Sequence, residues 1–131
     1  MKAWHVNAAL SGVPSTAHAL ATGRDPLEAT RAAGSLLVGE RASAPVLVAA
    51  ALPAHLALSW FWASVLEQAL PGRRRIAWGA IAGLAIAALD LGAIGRRYPA
   101  IRRLPLAPQL ADHVAFGAIV GALTAPGRRG S

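Results

Sequence analysis

Cysteine is absent from this sequence, which removes disulfides, thiolate metal sites and cysteine nucleophiles and leaves the redox compartment open. Charge is scarce as well. Only 15% of the residues are charged, with six acids against 13 bases, whereas a water-soluble domain needs about a quarter of its residues charged to coat its surface. A chain that is 55% hydrophobic therefore lacks a polar coat if water is its only solvent, and lipid removes the difficulty. Four histidines and six acids are too few for a membrane di-metal enzyme. No nucleophile elbow, P-loop or dinucleotide fingerprint occurs. Enzymatic activity is the least supported class, and none is expected.

What is present is basic charge in short runs. A net charge of +7 would suit nucleic acid if the arginines clustered on one surface. They do not. Arg73-Arg74-Arg75, Arg96-Arg97, Arg102-Arg103 and Arg128-Arg129 each sit just outside an apolar stretch, where cations meet lipid headgroups. The expected partner is a lipid bilayer rather than nucleic acid. Much of the apolar fraction is alanine and the mean hydropathy is a modest +0.45, so individual segments decide the matter.

The fold expected is all-α: an integral membrane helical bundle of about four transmembrane helices plus a short amphipathic interfacial helix, one domain over residues 1–131. Residues 46–70 give the clearest span, about 25 residues without a basic side chain against the ~20 that cross hydrocarbon. Pro53 should kink it, Trp60 and Trp62 suit an interface or a helix contact, and Pro71-Gly72 should stop it. Residues 76–94 form a second span interrupted only by Asp90, an antiparallel hairpin partner of the first. Residues 109–125 form a third, closed by Pro126-Gly127 and anchored by Arg128-Arg129.

Residues 4–22 carry His5, Asn7, Pro14 and His18 in a small-residue segment, read as an uncleaved first helix. The competing reading is a signal peptide with Ala17-His18-Ala19 as its cleavage site, weakened by a poor apolar region. Asp25, Pro26 and Glu28 announce a helix over residues 26–39 with a capping box. Its Glu28, Arg31 and Ser35 share one side, and Leu27, Ala29, Ala33, Leu36 and Leu37 cover much of the rest. At ~14 residues it is too short to cross, so it is expected at the interface. Four crossings leave about six basic residues on one side and about seven on the other, no clear asymmetry. The lean to cytoplasmic termini rests only on how short hairpin proteins commonly insert.

Gly79 with Gly83, and Gly117 with Gly121, are small-xxx-small pairs in consecutive spans. Lipid gives helices no hydrophobic reason to associate, so close backbone approach through glycine becomes a main source of contact. The partner is either the other helix of the same chain or a second copy, hence the expectation of a homo-oligomer or a larger membrane complex.

Ionisable residues inside the spans are the candidate site, because each is costly in hydrocarbon unless paired or hydrated. At about 100° per residue Asp90 falls about 20° from the direction of Gly79, and His113 shares the face of Gly117 and Gly121. Both lie ~6 to 8 Å below the same surface, so they can meet. Asp112 points elsewhere and reads as a first-turn acid favoured by its own helix dipole. His55, nearer mid-membrane on a stripe with Ser59 and Trp62, is expected at the deeper end of the same cavity, with Arg96 or Arg97 near its mouth. Glu67 reads as an interface ion pair with the Arg73 run, and His5 and His18 as surface or hydrogen-bonded residues.

Two uses of the pair stay open: a protonatable site near neutral pH, or an interhelical lock. The first function expected is a non-enzymatic structural or accessory subunit or oligomeric bundle. The alternative is a proton-coupled small transporter or channel using Asp90 and His113, although a dimeric small transporter would carry a glutamate in its first helix and residues 4–22 have none. The second alternative is b-type haem between His55 and His113, whose depths differ by ~7 Å. No cofactor and no metal are otherwise expected.

Overall fold

A computed structural model describes residues 4–124; Lys2, Pro126-Gly127 and Arg128-Arg129 lie outside them. The described residues are helical, with no strand among them. In chain order the helices are α1 (Trp4–Leu10), α2 (Val13–Ala21), α3 (Glu28–Val38), α4 (Ala44–Ala69), α5 (Arg75–Ala87, continued as a π-helical segment Ala88–Ile94 and a 3-10 turn Gly95–Arg97), α6 (Pro99–Arg102) and α7 (Leu106–Leu123). Three of these are long and apolar enough to cross a membrane: Ala44–Ala69, Arg75–Arg97 and Leu106–Leu123.

α4 begins behind Ser43 with a proline in its first turn and runs for 26 residues, through Pro53. It ends at Leu70, which is extended (φ −69°, ψ 133°), the conformation that a following proline imposes. Arg74 then takes a left-handed conformation (φ 54°) and turns the chain into α5.

α5 and α7 pack antiparallel through their glycines. A Cβ on Gly79 would stand 2.1 Å from the Gly117 carbonyl oxygen, and one on Gly117 would stand 1.8 Å from that of Gly79. Gly83 faces the His113 carbonyl and Gly121 the Arg75 carbonyl, each at 2.1 to 2.2 Å from the missing Cβ. One helix advances four residues where the other retreats four, so both glycine faces are occupied within the chain. Beside this seam Ala63, Leu66, Leu70, Ile86, Phe116 and Val120 form the buried cluster, with Trp4 and Trp62 packed on it.

The N-terminal segment departs from expectation: residues 4–22 are two helices, of seven and nine residues, and not one. Pro14 has no N–H to give to the Leu10 carbonyl, and Gly12 carries the turn between them (φ −85°, ψ 1°). In tandem the two still run the length of the bundle. Trp4 packs on the cluster that holds Leu66 and Leu70, while Ser15, His18 and Arg24 line a shallow pocket with Leu104, Pro105 and Gln109 at the other end.

α3 packs through its small residues and not through its leucines. Ala32, Gly34 and Ser35 are buried against α4, and Glu28 and Arg31 on that side are half-buried, while Leu37 is 60% exposed. Gly34 explains it, since a Cβ there would fall 1.8 Å from the Leu47 carbonyl oxygen. Small residues set the contact and polarity does not. The capping box is likewise absent: Glu28 pairs with Arg24 (2.6 Å), and Asp25 accepts the Leu27 N–H (2.8 Å) and pairs with Arg31 (2.5 Å).

Two expectations follow. Gly117→Leu puts a side chain into backbone, and overpacking there should cost about 3 kcal/mol, whereas Gly92→Ala, with nothing within 4 Å of its Cβ, should be neutral. Denaturant unfolding of the two variants in detergent checks both. The second concerns acid: the Leu27 N–H and Arg31 hold the Asp25 carboxyl below the usual range, and Arg24 does the same for Glu28. Depressed carboxylates stabilise above their unfolded pKa and lose that contribution as pH falls through the folded value. The Leu27 and Glu28 amide resonances should therefore shift together below the usual carboxylate range and stay constant from pH 6 to about pH 8.

Candidate functional site

The α5–α7 seam delivers Asp90 to His113. Asp90 is the third residue of the π-helical segment, whose wider turn is closed by the Gly95 N–H donating to the Asp90 carbonyl. His113 lies one turn from Gly117 on the face that meets α5. Its Nε2 is 3.4 Å from Asp90 Oδ2 and its Nδ1 is 2.8 Å from the Gln109 carbonyl oxygen. A carbonyl only accepts, so Nδ1 carries a hydrogen. A neutral ring then has a bare Nε2, and the Asp90 contact is a hydrogen bond only when one further proton sits on Nε2 or on Oδ2. Asp90 Oδ1 is buried and has no partner among the described residues.

His55 is not brought to this pair. Its Nε2 lies 2.7 Å from the Ala8 carbonyl oxygen, in the last turn of α1. Asp112, in turn, is not in the first turn of α7; its Oδ1 accepts the Ser15 N–H at 2.8 Å, in the first turn of α2. These two contacts have one explanation. An interrupted helix exposes carbonyls at the end of its first half and N–H groups at the start of its second. His55 from α4 donates to the former and Asp112 from α7 accepts from the latter, each side chain matching the partial charge of the helix end it meets. Asn7, one residue before Ala8, is 0% exposed, and neither of its amide atoms has a partner among the described residues.

Arg96 and Arg97 are exposed in the turn that follows Ile94, and neither pairs with Asp90 among the described residues. His5 is exposed with its ring edge-on to Trp4, and His18 is half-buried at the shallow pocket. Of the glycines, Gly79, Gly83, Gly117 and Gly121 all line the seam.

Arg75 was not singled out from its run, yet it is the one that turns inward, at 8% exposure. Its Nη1 donates to the Leu70 carbonyl (2.6 Å) and its Nη2 to the Glu67 carbonyl (3.2 Å) and to Thr124 Oγ1 (2.8 Å). It caps α4, which has no basic residue in its own last turn, and ties it to the end of α7. The signal was available: Pro71-Gly72 returns the chain so tightly that the first residue of the next helix stands beside those carbonyls.

Asp112→Ala leaves the Ser15 N–H without an acceptor and should cost about 2 kcal/mol, while Asp112→Asn keeps an acceptor oxygen and should cost less. Amide exchange at Ser15 and Thr16 should quicken in the alanine variant with the centre of α7 unchanged. The chain matches no family model, no curated protein and no solved structure.

Proposed function

We propose that this chain is a multi-pass protein of the cell membrane that acts without catalysis, as a structural or accessory subunit, either as an oligomer or beside a larger membrane complex. One observation carries this reading. Polar side chains on the long helices close contacts within the molecule, Asp90 with His113, Asp112 with Ser15 and His55 with Ala8, while Leu52, Trp60, Phe61, Trp78 and Ile81 face outward. Polar groups turned inward and apolar ones outward suit hydrocarbon as solvent.

In this reading α4, α5 and α7 cross, and α1 with α2 makes a fourth, interrupted crossing. That returns both termini to one side, with a lean to the cytoplasm. α3, at 11 residues, is too short to cross and lies at the interface against the first turns of α4. Because the glycine faces of α5 and α7 already meet each other, a second copy or a partner subunit would dock elsewhere; Trp60 and Phe61 on α4 and Trp78 on α5 are the outward aromatics for it.

A second reading has its own support: the His113 Nε2 to Asp90 Oδ2 contact, with Oδ1 buried and without a partner among the described residues, suits a proton-coupled carrier or channel. Haem between His55 and His113 is weaker, since the Nε2 of His55 and both ring nitrogens of His113 already have partners.

Alkaline carbonate extraction should leave the protein in the membrane pellet, and release to the supernatant would sink the membrane reading. In liposomes the wild type should pass no more protons than empty vesicles. Flux that disappears in folded Asp90→Asn and His113→Ala would replace the accessory reading with the carrier.

A further inference from the structure

The segment that joins α5 to α7 lies folded against the end of the bundle. A Cβ on Gly95 would stand 3.0 Å from both the Asp90 carbonyl oxygen and Ile101 Cγ2, so α6 is packed back onto the π-helical segment. Ile101 and Leu104 are half-buried, and Arg96, Arg97, Arg102 and Arg103 are all exposed. The acids at this end are already matched: Glu28 pairs with Arg24 and Asp25 with Arg31. Glu40 alone approaches the segment, 4.0 Å from Arg103. Among the described residues no acid pairs with Arg96, Arg97 or Arg102. Four guanidinium groups thus stand on a fixed ledge with almost no counter-charge.

What neighbours them selects the partner. Ile94 is 47% exposed and Leu106 61% exposed, two residues before Arg96 and three after Arg103. A matching surface must offer anions and hydrocarbon within a few ångströms of each other. Nucleic acid and a free anion offer only the first. We infer that the α5–α7 connection is a binding surface for anionic phospholipid headgroups, in which Arg96, Arg97, Arg102 and Arg103 engage lipid phosphates and Ile94 and Leu106 enter the acyl region below. Guanidinium meets phosphate through paired N–H donors, which suits arginine at all four positions. The inference rests on the reading that the chain crosses a membrane, and it adds the class of lipid that this end binds.

The test uses the full-length chain reconstituted with phosphatidylcholine and phosphatidylglycerol, then released for native mass spectrometry of retained lipid. The wild type should retain phosphatidylglycerol over phosphatidylcholine by about fivefold or more. R96Q, R97Q, R102Q and R103Q combined should abolish the preference, whereas Arg24→Gln with Glu28→Gln, which removes a neutral pair at the same end, should leave it. Equal retention in the wild type, or a preference that persists in the fourfold variant, overturns the inference. Should the fourfold variant fail to fold, a salt titration of the wild type decides: the preference must fall with ionic strength, and one indifferent to salt counts against it. Loss of the preference to millimolar inorganic phosphate would assign the arginines to a free anion, and tighter capture of an oligonucleotide would assign them to nucleic acid; either overturns the lipid assignment. A chain that does not insert into phosphatidylcholine vesicles at all fails the membrane reading itself, a different result from insertion without lipid preference.

Discussion

Gly79 and Gly117 let the backbones of α5 and α7 touch, and the antiparallel register set there governs what the rest of the molecule can do. Each glycine faces a carbonyl oxygen so closely that even a methyl group has no room. A slide by one residue would put alanine, tryptophan or phenylalanine against that oxygen, so the register has little freedom. Once it is set, one end brings Thr124 to Arg75 and the other brings His113 to Asp90. The polar contacts at the two ends are consequences of a contact that has no polar side chain in it.

The interrupted N-terminal segment shows the same economy. In the membrane-spanning reading, breaking a helix inside the bundle exposes backbone groups with no water to meet them, and each would cost a few kcal/mol if left alone. Two long helices supply one side chain each, His55 and Asp112, and the break becomes tolerable. That accounts for a histidine and an aspartate at positions where a helix buried in apolar surroundings would otherwise carry none. It also explains why they lie on different helices, since the two sides of a break face different neighbours.

Much of this was legible in the sequence, and the parts that were not share a cause. The three long helices follow from apolar length bounded by proline, glycine and arginine; glycine spacing marked the faces but left open a partner in the same chain or a second copy, and α5 packs chiefly on α7 and not on α4, its expected hairpin partner. Asp90 reaches the seam because it is only three residues into the π-helical segment, too few to carry it off the glycine face. A helical wheel divides α3 by polarity and does not say which side packs. Gly34 and its small neighbours fit the Leu47 backbone and Leu37 does not, so fit decided the face. The destinations of His55, Asp112 and Arg75 were hidden for a related reason. Each serves backbone groups of another element, and no pattern within its own helix records that.

The Asp90–His113 contact is better understood as a selector than as a fastener. At 3.4 Å it is a long hydrogen bond, and polar contacts between membrane helices average only about 0.6 kcal/mol. The seam beside it does the holding. An unpaired aspartate within a span, by contrast, costs roughly 2.5 to 3.5 kcal/mol. Pairing therefore adds little to the correct arrangement and takes a great deal from any other, since a slipped register would leave Asp90 among apolar side chains with no imidazole to meet it. Because Nδ1 is committed to Gln109, Nε2 is the ring atom left to meet Asp90, and only the glycine register presents it there.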